Sequence, residues 1–499
     1  MELKFEKTPC RCLRSLAREC QNLEQSQELR LPDGLPDVGR VLCAWGQAML
    51  RSKEWRGDGM TASGGVMVWV LYAPEDDSTP QCVDIWLPFS AKWSFPETER
   101  EGTIRLAPLI RSVDARIVSA RKLMVRAGIG ILAEAMEPCE VQVYAPGPMP
   151  EGVELLKHTY PVRLPKEAGE KAFLLDEELT LPGSCPLMEK PVRFELRPQL
   201  ADVRVMAGKV VFRGNGLLHI LYLGEDGSLY TWDHEIPFSQ FADLEEDFGT
   251  DADARITFAL TNLELDRMED GAIRVKCGLV AQYVIDDQLL LELTEDAYSP
   301  HRDVAPDVEE IALPSILDRR RDQGIFEASV DGDCARILDL CFLPDHPSLS
   351  RMGDQISAKF SGQFQLLFED LNGNLQGVIR RYEQDRTLDA AADCVVCMDI
   401  RSSGVAAAQM SAGGITVKSD VNLEMYTQTT RGQRAVSGIK VGDVKKPDHN
   451  RPSVILRRME GERLWDLAKR CGTTVHAICQ ANGLKDEPAP GRLLLIPVP

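Results

Sequence analysis

The chain has no run approaching the roughly 20 consecutive apolar residues that cross a bilayer. Its opening residues mix Glu2, Lys4, Glu6 and Lys7 with few apolar ones, so the apolar stretch of a secretory signal is missing there. Both absences predict a protein that stays in the cytosol where it is made. Histidine is scarce: there are seven, all scattered, and His234-Glu235 runs on as Ile-Pro-Phe, which excludes the two-histidine zinc-protease spacing. No glycine-rich phosphate loop and no GxSxG nucleophile motif occurs. Basic charge is also short, with 57 Lys and Arg against 77 Asp and Glu for a formal net charge of −20. Such a chain repels the phosphate backbone, so nucleic acid is not an expected partner. A non-enzymatic protein without cofactor or metal is predicted.

Cysteine is plentiful, at 14, and in a cytosolic chain these predict reduced thiols. Cys394-x-x-Cys397 lies in an alternating apolar run rather than at a helix start, where a thiol pKa would fall. Cys10, Cys12 and Cys20 have no nearby fourth ligand for zinc. Surface or packing thiols are the expectation.

At 499 residues, 44% hydrophobic and 27% charged, the chain reads as three or four ordinary globular domains. Its charge is uneven. Residues 451–499 hold eight Lys and Arg and five Asp and Glu, so this end carries +3 and the remainder −23. A basic end on an acidic body suggests a separate binding role.

The body repeats itself. Asp114-Ala115-Arg116-Ile117, Asp253-Ala254-Arg255-Ile256 and, more loosely, Asp393-Cys394-Val395-Val396 follow one another at steps of 139 and 140 residues. Upstream of each, an apolar strand runs into an acidic turn, at residues 68–77, 218–227 and 365–373, with Tyr72, Tyr222 and Phe368 as matching aromatics. Pro88-Phe89-Ser90 and Pro237-Phe238-Ser239 close the next strand in the first two copies. Three copies of one domain, each with its own core, are expected. Period-two alternation at 204–212, 256–266 and 415–425, with turns at Glu225-Asp226-Gly227, Glu269-Asp270-Gly271 and Asn372-Gly373, predicts β-structure. Helix is expected at 11–27 and 314–322. Carboxylate pairs such as Asp76 with Asp77 or Glu225 with Asp226 fall in these turns and read as solvated turn residues. Tyr72, Tyr222 and Phe368 read as core.

The order of Leu31-Pro32-Asp33, Pro36-Asp37, the strand ending in Leu71-Tyr72 or Leu221-Tyr222, and the following Pro-Phe-Ser resembles the SPOCS family of spore coat morphogenesis proteins over residues 31–435. The expected fold is mainly β, with three tandem sandwich-like repeats and a small βααβ domain. The expected boundaries are an N-terminal segment 1–30, repeats at 31–150, 151–300 and 301–437, a charged linker 438–451 and a terminal domain 452–499.

That terminal domain resembles LysM. Residues 453–458 read as a strand, and Leu464, Leu467, Ala468 and Cys471 keep the spacing of one buried helix face. Gly472 stops that helix. Thr473 or Thr474 caps the next one, whose stripe is Val475, Ile478 and Cys479, and residues 493–497 return as a strand. The resemblance implies a groove for a partner or a glycan between two loops, carried over here to Gly461, Glu462, Arg463, Leu464, Asn482, Gly483, Leu484, Gly491 and Arg492. Arg463 stands where a small hydroxyl is usual in sugar-binding members, and Pro488 and Pro490 alter the second loop. Trp465 reads as a packed anchor or part of a partner surface.

The resemblance therefore implies a coat assembly scaffold at the forespore's outer surface in the mother cell, whose LysM module docks a SpoIVA-like coat-basement ATPase. A binder of peptidoglycan or cortex glycan, through N-acetyl sugars, is the alternative. A wall hydrolase with a LysM targeting arm would need a catalytic constellation, and none is visible.

Overall fold

The computed structural model describes the whole chain except residues 77, 78, 97, 99, 100, 270, 392, 405, 412, 413, 430, 431, 446–451, 486 and 499. Asp77, Asp270 and the second half of the expected linker thus lie outside the described residues. Almost everything else before the terminal domain is strand. The first unit comprises β1 (Glu2–Lys4), β2 (Glu6–Arg30), β3 (Val38–Arg56), β4 (Gly59–Pro74), β5 (Gln81–Ser94), β6 (Thr103–Ser119) and β7 (Lys122–Ala145). The second comprises β8 (Glu154–Leu179), β9 (Met188–Met206), β10 (Lys209–Gly224), β11 (Leu229–Asp243), β12 (Asp253–Arg267) and β13 (Ile273–Tyr298).

The third unit opens with β14 (Arg302–Ala312), β15 (Ser315–Asp331), β16 (Arg336–Pro344), β17 (Ser348–Met352) and β18 (Gln355–Glu369). It continues with β19 (Leu375–Asp389), β20 (Cys394–Ser402), β21 (Ala407–Ser411), β22 (Gly414–Thr429) and β23 (Gly432–Val444). The terminal domain is β24 (Val454–Arg458), α1 (Leu464–Cys471), α2 (Val475–Asn482) and β25 (Leu493–Pro497).

Each unit is a sandwich of two antiparallel sheets. In the first these are β2-β7-β6 and β3-β4-β5, and in the second β8-β13-β12 and β9-β10-β11. The third pairs β15-β22-β20 with β16-β18-β17, to which β19 adds. Inward side chains of both sheets meet in a core, as Val66 and Val68 do with Leu106, Val125 and Ile129 in the first unit. Tyr72 and Tyr222 are buried in these cores, as expected, and each hydroxyl donates at 3.0 Å to a carbonyl 36 residues upstream, that of Pro36 or Pro186. Phe368 keeps the burial and lacks the hydroxyl.

The Pro-Phe-Ser motif also acquires a reason. Gly64 lies opposite Phe89, and Gly214 opposite Phe238, across a ladder. A Cβ on either glycine would come within 2.7 Å of the first ring or 2.6 Å of the second. The phenyl ring therefore fills the space that a side chain would take on the neighbouring strand.

The structural repeat differs from the motif repeat. Leu31, Tyr72 and Gly128 correspond to Leu181, Tyr222 and Gly278, a step of 150 residues, and the bulge between Ile110 and Ser112 recurs between Leu260 and Asn262. Asp253 opens β12, whereas Asp114 lies near the end of β6, so the Asp-Ala-Arg-Ile likeness is not an equivalence. The counterpart of Arg255 is Arg105: Arg105 pairs across to Glu134 and Arg255 to Val284, and Cys397 opposite Tyr426 takes that place in the third unit.

Other expectations need correction. Residues 11–27 form no helix but lie in β2, because β7 offers them a ladder over their whole length, from Glu6 opposite Ala145 to Arg30 opposite Lys122. Pairing of this extent outweighs weak local propensity. Residues 315–322, within the second expected helix, lie in β15 against β22 for the same reason. The segment 1–30 is thus part of the first unit. Residues 438–444 of the expected linker belong to β23, where Ile439 and Val441 alternate inward and are buried.

The cores are also joined. β1 pairs with β23, Glu2 opposite Lys440, so a backbone ladder ties the first unit to the third. The first unit's core takes in Val192, Leu221 and Ala259 of the second and Leu338, Cys341 and Leu367 of the third. Segments of all three units meet there: residues 46–48, 196–198 and 342–344, with 108–110, 258–260 and 400–402, line one cavity of about 180 Å³.

Ion pairs seal this junction. Arg193 of β9 meets Asp339 of β16 with both side chains at most 1% exposed. Asp339 also faces His219 Nε2 at 2.9 Å, while His219 Nδ1 lies 2.6 Å from Asp233. Within their own units Arg255 binds Asp286 and Arg105 binds Glu134, each at 2.7 Å, and Arg105 also reaches Asp399 of β20 in the third unit at 3.7 Å. Removing one partner of such a pair leaves a buried charge uncompensated, which costs about 3–5 kcal/mol.

Candidate functional site

The terminal domain builds its two loops from local rules. Gly472, with φ of 65°, ends α1 in the left-handed conformation, and Thr474 caps α2 by accepting from the Ala477 amide at 3.0 Å. Leu464, Leu467, Ala468 and Cys471 are buried on one face of α1, against Ile478 of α2 and Leu494 and Ile496 of β25. The strands β24 and β25 pair antiparallel, so the order is βααβ.

The nine expected groove residues differ in their surroundings. Leu464 is buried in the core, Leu484 packs against it, and Asn482 bonds to the backbone of Leu495 at 2.6 and 2.8 Å, so these three support the loops from within. Glu462 is held by Arg470 at 2.6 Å and Arg457 at 3.3 Å. Gly461, Arg463, Gly483, Gly491 and Arg492 are exposed.

The loops touch at one end, where the Gly491 amide donates to the Met459 carbonyl at 2.8 Å and the Met459 amide to the Arg492 carbonyl at 2.9 Å. Glu487 spans them at another point. Both of its carboxylate oxygens accept from the Leu464 amide at 3.1 Å, a placement favoured by the positive end of α1. Arg463 folds back onto Asp466 at 3.0 Å. The first loop thus presents a guanidinium and has a first-turn amide already taken by a carboxylate.

The domain is seated on the second unit. Trp465, 7% exposed, donates its indole N–H to Asp296 at 2.9 Å and lies edge-on to Tyr298 with centroids 4.7 Å apart. Lys469 reaches Asp296 at 2.7 Å, and the Tyr298 hydroxyl donates to the Thr473 carbonyl at 2.9 Å. Burial would raise the Asp296 pKa, but hydrogen bonds from Lys469 and Trp465 outweigh it and hold the carboxyl below its usual range. Arg463 lies 3.8 Å from Glu295, which also accepts from the Tyr160 hydroxyl. Trp465 is therefore a packed anchor that also fixes the domain to the body. The sequence singled out Trp465 but gave no sign of Asp296, Tyr298 or Glu487. They are ordinary strand and loop residues whose role exists only once the chain is folded.

The thiols read as packing groups. Cys394 and Cys397 are buried in β20, and burial raises both pKa values. Burial pushes Cys12 up to about 12, with Cys139 opposite it adding to the shift. Among the described residues no group of His, Cys, Asp and Glu is arranged to hold a metal ion, and no helix is long and apolar enough to cross a membrane. Glu225 and Asp226 sit in a hairpin turn, where Asp226 accepts from the Tyr230 hydroxyl and the Ser228 amide.

The β-rich body ends in a seated βααβ unit, and residues 460–497 of that unit match the LysM domain family. Residues 188–267, which run from the start of β9 to the end of β12, match the family described as SipL, SPOCS domain. The chain thus has the SPOCS and C-terminal LysM architecture of a sporulation coat-associated protein, and both matched families are non-catalytic binding domains. No curated protein and no solved structure matches it.

Proposed function

We propose that the three β units form an acidic, non-enzymatic scaffold at the outer surface of the forespore, in the mother-cell cytosol, and that the LysM module docks a SpoIVA-like coat-basement ATPase through its two loops. Gly461, Arg463, Gly483, Gly491 and Arg492 are the exposed contact residues in this reading. Glu462, Leu464, Asn482 and Leu484 position them. The observation that carries it is the pair of charges at the first loop: Arg463 exposed at its rim, and Glu487 reaching over from the second loop to the Leu464 amide. A neutral sugar would have to displace that carboxylate, whereas a protein surface can meet both charges. The charge of +3 on residues 451–499 suits an acidic partner.

The LysM match itself favours the second reading, a binder of N-acetyl-sugar glycan. Affinity purification from sporulating cells, with the full chain and with a chain ending before residue 452, separates the two. Recovery of the coat-basement ATPase with the full chain alone supports the first. Recovery of wall glycan without the ATPase supports the second.

A further inference from the structure

The LysM hairpin turns alternate side chains to opposite faces. Ile455, Leu494 and Ile496 face the helices, whereas Val454, Leu456, Leu493 and Leu495 face outward and are 47%, 66%, 59% and 38% exposed. Leu456 lies opposite Leu495, and Arg458 opposite Leu493. The outward face is therefore one apolar strip with the exposed Arg458 at its end. A ribbon open to water on one face normally carries polar residues there. A contiguous apolar patch rimmed by charge marks an interaction surface.

A second feature points the same way. The outer edge of β25 is partly occupied, since Asn482 bonds both the amide and the carbonyl of Leu495. β24 has β25 as its one strand partner among the described residues, and it contains neither proline nor a register shift. An open edge with neither proline nor bulge is a template for a further strand.

We infer that β24 is a docking edge, which takes an extended segment of the partner as a third strand, with apolar side chains at alternate positions over Leu456 and Leu495 and a carboxylate facing Arg458. The backbone ladder supplies affinity and the alternating face supplies selectivity. A second copy of the chain is disfavoured as occupant, because its own β24, Val-Ile-Leu-Arg-Arg, brings no carboxylate to meet Arg458. The inference rests on the LysM module as the partner-binding element and adds a surface separate from the loop groove.

The test is amide hydrogen exchange at residues 454–458 of the full chain, with purified coat-basement ATPase as one probe. The second probe is the capped peptide Glu-Thr-Val-Thr-Val-Thr, whose Glu and Val share a face when extended. The expected result is protection of β24 by either probe, and an affinity about tenfold lower or more for Leu456→Asp, with the melting temperature unchanged because Leu456 is exposed. ATPase binding that protects only residues 460–464 and 482–492 would overturn the inference and leave the proposed function standing. No ATPase binding at all would remove the proposed partner, and the peptide then decides: lack of protection at β24 overturns the inference as well. Protection that rises with chain concentration alone would assign the edge to a second copy and overturn the stated occupant.

Discussion

Trp465 donates its indole N–H to Asp296 at 2.9 Å, so the LysM module is held to the second β unit by the same carboxylate that binds Lys469. Asp296→Ala removes both contacts. Hydrogen bonds to a charged group contribute about 1.5–3 kcal/mol each at most, and the half-exposed Lys469 contact is worth less through solvent screening. The expected outcome is a module that detaches while remaining folded, seen as a larger radius of gyration in solution scattering with helical circular dichroism retained. An unchanged radius would show that Tyr298 and the apolar contacts hold the module alone. Because the Asp296 pKa is lowered, this part of the docking free energy is present above the unfolded carboxyl value and fades as pH falls through the lowered one.

The module's own core depends on Leu467, which is fully buried between α1, α2 and β25. Leu467→Ala should cost about 2–5 kcal/mol, a large share of what so small a domain has. Thermal unfolding followed at the helical signal should show the module melting well below the parent, with the β signal little altered.

The seam between the second and third units makes a pH prediction. Burial lowers the His219 pKa, but hydrogen bonds to Asp233 and Asp339 outweigh it and raise it to about 9 from 6.5. A raised folded pKa contributes stability that is complete below the unfolded value and is lost as pH rises through the folded one. Urea midpoints should therefore hold from pH 5 to 6.5 and decline toward pH 9, and His219→Phe should flatten that decline. An equal slope in the variant would assign the loss to other groups.

Gly214→Ala should destabilise the second unit, because its Cβ would meet the Gln199 carbonyl at 2.0 Å and the Phe238 ring at 2.6 Å. Overpacking of this kind costs about 1–3 kcal/mol. Gly183→Ala, with nothing within 4 Å of its Cβ, is the control and should leave the melting temperature unchanged.

Local chemistry made much of this legible. Turn glycines such as Gly227 and Gly373 take the positive φ their sequences imply, at 77° and 80°. The apolar stripes of α1, the Gly472 stop and the buried tyrosines also follow from spacing alone. What failed was decided at a distance. Residues 11–27 have helical propensity, yet become strand because β7 lies beside them. The Asp-Ala-Arg-Ile likeness gave the wrong step because identity at four positions says nothing about ladder register, which places Arg105 rather than Arg116 opposite Glu134. Residues 438–444 look like a charged linker until β1 and β14 pair with them on either side. In the module, Arg463 was visible as an unusual loop residue, but Glu487 reaching the Leu464 amide depends on how the second loop folds.

Calorimetry of the full chain against both ligands at two salt concentrations decides whether the proposed protein-binding role of this LysM module stands against a sugar-binding one. The expected result is saturable binding to the coat-basement ATPase that weakens as salt rises, with N-acetylglucosamine oligomers binding far more weakly. Arg463→Thr should weaken the ATPase contact and leave the melting temperature in place. Tight binding of the oligomers by the unaltered chain, with no heat on addition of the ATPase, would contradict the proposed role.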